Sequence, residues 1–222
     1  YATPHLGNWE VGALVWVFDT SRPIGVVART LPNPHLDKLI NARRSAGNGY
    51  VIPAKGAIRG MLKALGKGHL VATLTDQNTR ARDGGIFVDF FGLPVPTTRG
   101  PAMFARRMNV PVAVGSCLRT PTGYRMYARE LPKPTHAYAS DEELSQALMH
   151  LMEEVVREHP EQYLWLYRRF QYIPRQATRE LAARYPDYAV FAPARFYDRS
   201  ALKEPVRHRD DGPLPEADGS TG

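Results

Sequence analysis

A single cysteine, Cys117, stands in the 222 residues. It leaves no internal disulfide to form and no cysteine cluster for zinc. Cys117 lies in the apolar run VAVGSCL, which reads as a buried strand, so it is assigned to the core rather than to catalysis. Long hydrophobic runs are also missing. The longest, VGALVWVF at residues 11–18, is too short for a bilayer core, which takes roughly 20 residues. No HExxH pair, GxSxG elbow or GxxxxGK[ST] loop occurs, which removes the common zinc, serine and phosphate-loop readings. RNP-type aromatics and zinc-finger spacing are absent too, so nucleic acid is not an expected partner.

The composition is that of a folded chain, 43% hydrophobic and 23% charged. Its net charge of +7 is unevenly distributed. Residues 41–107 carry eleven Lys/Arg against three acids, whereas residues 175–222 carry eight of each sign. The basic middle points to an anionic partner: phosphate, acidic lipid or an acidic protein. Residue 1 is a tyrosine inside what reads as a structured segment. The expectation is a chain whose N-terminal part, with any membrane anchor, is missing.

Helix and strand patterns alternate. NWEVGALVWVFDT reads as a helix capped by Asn8, and IGVVART as a short strand. PHLDKLINARRSAG is a helix stopped by glycine, and GYVIP an extended piece. KGAIRGMLKALGKG is an amphipathic helix with Ile58, Met61, Leu62 and Leu65 on one face. HLVATLTDQ is a buried strand, and GIFVDFFGLPVPTT an extended loop or ribbon broken by prolines. RGPAMFARRMN is a helix, and VPVAVGSCLRT with YRMYAREL a hairpin. SDEELSQALMHLMEEVVREHP is a helix with Ser140 and Glu143 as a capping box, and PEQYLWLYRRF a short helical turn. The alternation predicts an α/β fold, a central mixed sheet flanked by helices. The expected division is residues 1–174 as one domain and 175–222 as an extension, disordered in its Pro/Gly/Asp-rich tail.

The opening YATPHLGNWE holds His5 five residues before Glu10. On one continuous helix that spacing points the two side chains about 140° apart. They converge if His5 lies in the loop before the helix and Glu10 in its first turn. A carboxylate would then orient the imidazole as a general base for a hydroxyl. The alternative is a capped helix with an incidental histidine.

Several segments together resemble the late acyltransferases of lipid A biosynthesis, within the lysophospholipid acyltransferase superfamily. HLGNWE is similar to that family's HxxxxE/D box. NARRSAGNGYVIP resembles its arginine segment, GMLKALGKGHLVATLTDQN its helix–strand–DQ block, GIFVDFFGLPVPTTRGPAMFARRMNVPVAVG its FFG…T…GPA segment, and HPEQYLWLYRRF its PEQYxWxxRRF box. The likeness runs in order from His5 to about Phe170.

The resemblance implies an acyltransferase-like fold and transfer of a fatty acyl chain from acyl carrier protein to a hydroxyl of a lipid A precursor. It places the work at the cytoplasmic face of the inner membrane, with no metal or other cofactor. His5 would be the base and Glu10 its partner. Arg43 or Arg44 would meet a phosphate or head group, and Asp76 and Arg99 would contribute to substrate binding. An already activated thioester calls for a base and for oxyanion donors. Backbone N–H groups around Gly7 or in TTRG are candidates for the latter. Phe87, Phe90 and Phe91 are candidates either for an acyl groove or for core packing. Two other readings remain: the same chemistry on another glycolipid such as a phosphatidylinositol mannoside, or a non-catalytic module on an anionic membrane surface.

Overall fold

The computed structural model describes residues 1–19, 22–200 and 205–212. In chain order the strands and helices are β1 (Ala2–Thr3), α1 (Trp9–Asp19), β2 (Ile24–Ala28), α2 (Pro34–Arg44), β3 (Gly49–Pro53), α3 (Ala57–Gly66), β4 (Leu70–Leu74), β5 (Gly85–Phe90), β6 (Leu93–Thr98), α4 (Gly100–Met108), β7 (Ala113–Thr120), β8 (Gly123–Glu130), α5 (Asp141–Glu158), β9 (Tyr172–Ile173), α6 (Arg179–Ala183), β10 (Val190–Phe191) and α7 (Ala194–Tyr197). Two compact units result, each assembled from two stretches of chain. The first is Tyr1–Asp76 with Gly100–Leu164, the second Gln77–Arg99 with Trp165–Gly222.

The first unit is the α/β layer. Its six strands lie in the order β3-β2-β4-β1-β7-β8. All neighbours are parallel except the β7–β8 hairpin, so the sheet is mixed, as expected. Parallel strands covered on both faces need apolar residues on both sides, and IGVVA and LVATL supply them. Ile52, Met61, Ala64, Val71 and Phe104 form a core beneath α3 and α4. Helix α5 buries Leu144, Leu148, Met149, Met152, Val155 and Val156. Its cap is Ser140, whose Oγ accepts from the Glu143 N–H at 3.1 Å. The Glu143 carboxylate reaches back one residue further than a capping box requires, accepting from the Ala139 N–H at 2.6 Å.

Helix α3 departs from its expected orientation. Met61 and Ala64 are buried and Leu65 packs beside them, but Ile58 is 59% exposed and Leu62 41%. Strand β1 was not expected at all. Two residues carry no readable period, yet Ala2 is fully buried between β4 and β7.

In the second unit, β5 and β6 pair without interruption from Gly85↔Thr98 to Phe90↔Leu93. Pro94 and Pro96 do not break this ribbon. They are two residues apart, so their missing N–H groups fall on the same side of a strand that has one unpaired edge. Phe91 (φ 53°) and Gly92 (φ 73°) make the left-handed turn between the strands. Phe90 is buried, stacked on Phe170 at 6.0 Å. Phe87 packs on Phe196 and Phe91 on Trp165, so these phenylalanines serve packing within the unit. The segment YLWLYRRF is not helical: a 3₁₀ turn over Pro160–Gln162 gives way to irregular chain. Arg169 is 1% exposed and donates to Asn78 Oδ1 at 2.8 Å and to the Pro96 carbonyl at 2.6 Å.

Within the expected extension, residues 175–200 and 205–212 are described and carry regular elements. Ala177, Ala182, Tyr185, Ala189 and Phe191 form a core with Ile173, and β9 pairs with β10. Of the tail expected to be disordered, residues 205–212 are held by a bridge from His208 to Val190 and by Arg209 on Asp187. Residues 204 and 213–222 lie outside the described residues. Among the described residues no helix is long and apolar enough to cross a membrane.

Candidate active site

The site grows from the pairing of β1 with β4. Their parallel register joins Ala2 to Thr73 and Thr3 to Leu74. Extending it by two residues carries the chain past the carboxyl ends of both strands and sets His5 opposite Asp76. The carboxyl end of a parallel sheet is where such folds place ligands. Asp76 is 2% exposed. Its Oδ2 accepts the His5 backbone N–H at 2.8 Å, and its Oδ1 lies 2.6 Å from His5 Nδ1. An ionised carboxylate only accepts, so the shared proton belongs on Nδ1. Nε2 is then the basic nitrogen of the ring.

The loop that carries His5 is strapped on both sides. The Leu164 N–H donates to the His5 carbonyl at 3.1 Å and the Gly7 N–H to the Gln162 carbonyl at 3.0 Å. The Asn8 N–H donates to the Cys117 carbonyl at 2.7 Å. Gly7 has φ +65°, and a Cβ there would sit 2.1 Å from the Cys117 oxygen, so no other residue fits this crossing. Asn8 Oδ1 accepts the Val11 N–H at 3.1 Å, the expected cap on α1. The first ring beyond the cap is Trp9, edge-on to the imidazole at 4.8 Å between centroids.

Glu10, in the first turn of α1, takes a different partner from the one expected. Its carboxylate is gripped by the fork of Arg44, Nε to Oε2 at 2.9 Å and Nη2 to Oε1 at 2.5 Å. The carboxylate on His5 Nδ1 is therefore Asp76. The physical reason is rigidity. Asp76 arrives on a strand end already in register, whereas Glu10 lies one helical step beyond the loop and meets the last turn of α2. The Glu10 hydrogen bond drives the Arg44 guanidinium pKa above its already high value, although partial burial opposes it.

Glu10, its side chain 43% exposed, and Arg44 are among the residues lining a cleft of about 80 Å³ between α1 and the sheet. Trp9, Ala13 and Trp16 form one wall, and Val26, Ala28 and Leu74 are among the residues of the other. The apolar walls and one ion pair at the rim describe a site for a molecule with an apolar body and a polar end.

The expected site residues separate as follows. His5 and Asp76 come together, as do Glu10 and Arg44. Arg43, one residue earlier on α2, is exposed and is not among the residues lining the cleft. Arg99 belongs to the second unit, exposed at the start of α4, with its N–H on the Gly84 carbonyl at 3.4 Å. The N–H groups of Gly7 and Asn8 are engaged by carbonyls, which removes them as oxyanion donors. Trp9 and Gln162 also stand beside the His5 loop, a placement no local pattern in the sequence indicates. Both lie inside segments that did stand out, HLGNWE and PEQY. Cys117 is buried, and burial pushes its thiol pKa up. Among the described residues no group of three His, Cys, Asp or Glu could hold a metal ion.

Comparison with known proteins gives one consistent result. Residues 1–172 match the family described as bacterial lipid A biosynthesis acyltransferase. The chain is 32% identical over 178 residues to the lipid A biosynthesis lauroyltransferase of Escherichia coli (strain K12). It is 29% identical over 174 residues to the lipid A biosynthesis palmitoleoyltransferase of the same strain, and equally so to a lipid A biosynthesis acyltransferase of Shigella flexneri. Each alignment covers 77% of this chain and 55% of the relative, so the chain spans about half the length of these relatives. The match over residues 1–172 makes the chain a member of the bacterial lipid A biosynthesis acyltransferase family.

Proposed function

We propose that the protein containing this chain transfers a fatty acyl group from acyl carrier protein to a hydroxyl of a lipid A precursor, at the cytoplasmic face of the inner membrane. The observation that carries the reading is the His5–Asp76 pair, 2.6 Å apart at the open end of the sheet in a chain of this family. His5 Nε2 takes the proton of the acceptor hydroxyl as its oxygen attacks the thioester carbonyl carbon. Asp76 holds the ring and balances the imidazolium that forms. The tetrahedral adduct collapses with cleavage of the C–S bond, and the imidazolium returns the proton to the departing thiolate. The donor is already activated, so neither a covalent enzyme intermediate nor a resident cofactor is required by the chemistry. Arg44, anchored by Glu10, presents a guanidinium at the cleft rim where a phosphorylated head group would pass. The apolar walls suit part of an acyl chain.

The test is transfer of a labelled acyl group from acyl carrier protein to a tetra-acylated lipid A precursor by the full-length protein and by its His5→Ala form. The expected result is product with the wild type and a fall of at least two orders of magnitude in the variant, with both proteins folded. Equal rates would remove His5 as the base. Transfer to a different glycolipid, with none to the lipid A precursor, would replace the acceptor.

A further inference from the structure

The outward face of α3 is built against the usual rule for a surface helix. Such a face is normally polar and mixed in charge. Here Ile58 and Leu62 stand 59% and 41% exposed. Beside them Lys55, Arg59, Lys63 and Lys67 follow one another at steps of four, all exposed. Arg59 and Lys63 lie within the helix, Lys67 is its C-cap, and Lys55 precedes the N-cap Gly56. Steps of four keep side chains on one face, and like charges at that spacing repel.

None of these four cations has an ion pair with a carboxylate among the described residues, whereas Arg44, Arg106, Arg129, Lys133 and Arg157 each do. From Lys38 through Thr75 the sequence contains no Asp or Glu at all. The column therefore has no carboxylate nearby in the chain to neutralise it.

We infer that this face of α3 docks an acidic protein surface, a ridge of carboxylates with apolar side chains between them, on the acyl carrier protein that brings the donor. The identity of the partner rests on the function proposed above; its chemistry rests on α3. The helix is about 15 Å long, the dimension of one helix laid against another. It carries no aromatic residue, and its exposed large apolar side chains are Ile58 and Leu62 alone, whereas a helix lying in a membrane interface buries a whole apolar face of Trp, Phe and Leu. That favours a protein partner over a bilayer. Charge complementarity of this kind sets encounter rate and specificity. The position is also right. Strand β3 runs parallel to β2, and β4 joins β2 to β1 in the same sense. The start of α3, with Lys55, Ile58 and Arg59, therefore lies at the end of the sheet that carries His5.

The experiment is direct binding of fluorescently labelled holo-acyl carrier protein to the full-length protein. It compares wild type, R59E/K63E, and K38E/R125E. The last makes the same change in net charge at exposed positions outside α3. The expected result is a Kd at least tenfold higher for R59E/K63E, with a weaker salt dependence, and a Kd within about threefold of wild type for K38E/R125E. Thermal melts establish that all three are folded. Equal Kd values for wild type and R59E/K63E overturn the proposal. So does an equal weakening by the two double variants, which would mean steering by net charge alone. Loss of binding to vesicles of 30% phosphatidylglycerol in phosphatidylcholine, with carrier binding retained, assigns the face to a membrane and also overturns it. Because binding is read without turnover, an inactive protein that shows the expected Kd pattern would sink the proposed reaction and leave the docking face standing.

Discussion

Asp76 holds His5 at two atoms at once, the ring Nδ1 at 2.6 Å and the backbone N–H at 2.8 Å. Both contacts need an acceptor on the Asp76 side. The residues are 71 apart in sequence, and the strand register beneath them sets both the distance and the orientation.

Asp76→Asn therefore tests more than the loss of a charge. A carboxamide has one acceptor oxygen. The backbone N–H of His5 can only donate, so it will claim that oxygen and leave the NH₂ facing Nδ1. The ring must then accept at Nδ1 and carry its proton on Nε2, the wrong tautomer for a base. The expected outcome is a fall in kcat of about 10²- to 10⁴-fold, with KM changed little. A variant that keeps kcat within tenfold of wild type would show that Asp76 does not set the tautomer.

Gly7→Ala probes the strap that holds the histidine loop. The left-handed backbone costs a Cβ-bearing residue about 1 kcal/mol or more, and the new Cβ would lie 2.1 Å from the Cys117 oxygen. The loop must shift to relieve this, and the Asn8–Cys117 hydrogen bond must give way with it. A destabilisation above about 2 kcal/mol is expected, seen as a melting temperature at least about 4 °C lower. An unchanged melt would mean that the crossing of this loop over β7 is looser than its geometry implies.

Much of this organisation was legible in the chain. Regular elements over Trp9–Met108 and the β7–β8 hairpin follow from periodicity and punctuation, because each is long enough to show one. β1 is two residues long and shows none. Its place in the sheet depends on burial of Ala2 between strands that come some 70 and 110 residues later. For the same reason the His5–Asp76 pair was invisible as a pair. His5 and Asp76 each lie in segments that carry the family resemblance, but only a strand register brings them together, and the HxxxxE box points to Glu10 instead. The orientation of α3 is not legible in the sequence, because four apolar residues on an amphipathic helix look alike there. Two of them face the core and two face outward. The ribbon through Pro94 and Pro96 was readable only in outline, since the side on which each proline lacks its N–H depends on which edge is unpaired.

Cys117 offers a pH-dependent check on the core of the first unit. Burial raises the thiol pKa, so the neutral form persists to higher pH than in an exposed cysteine. The thiolate is the reactive species. At pH 8 the native protein is expected to resist iodoacetamide for hours, while the denatured protein is alkylated within minutes, as read by intact mass. Rapid alkylation of the native protein would mean that β7 opens readily beside the histidine loop.

The Glu10–Arg44 pair calls for a double-mutant cycle. The side chain of Glu10 is 43% exposed and that of Arg44 18%, so water screens the pair and its share of global stability is expected to be small, under about 1 kcal/mol. Its value lies in positioning. If Glu10 serves to aim the Arg44 guanidinium at the cleft rim, removing either residue removes the same interaction with substrate. Glu10→Ala and Arg44→Ala should each lower kcat/KM, mainly through KM, by about 10- to 100-fold. The double variant should be no more than about threefold worse than the poorer single one. That non-additivity corresponds to a coupling of roughly 1–3 kcal/mol. Multiplicative losses would mean that the two residues act separately, and that Glu10 has a task at the site beyond holding Arg44.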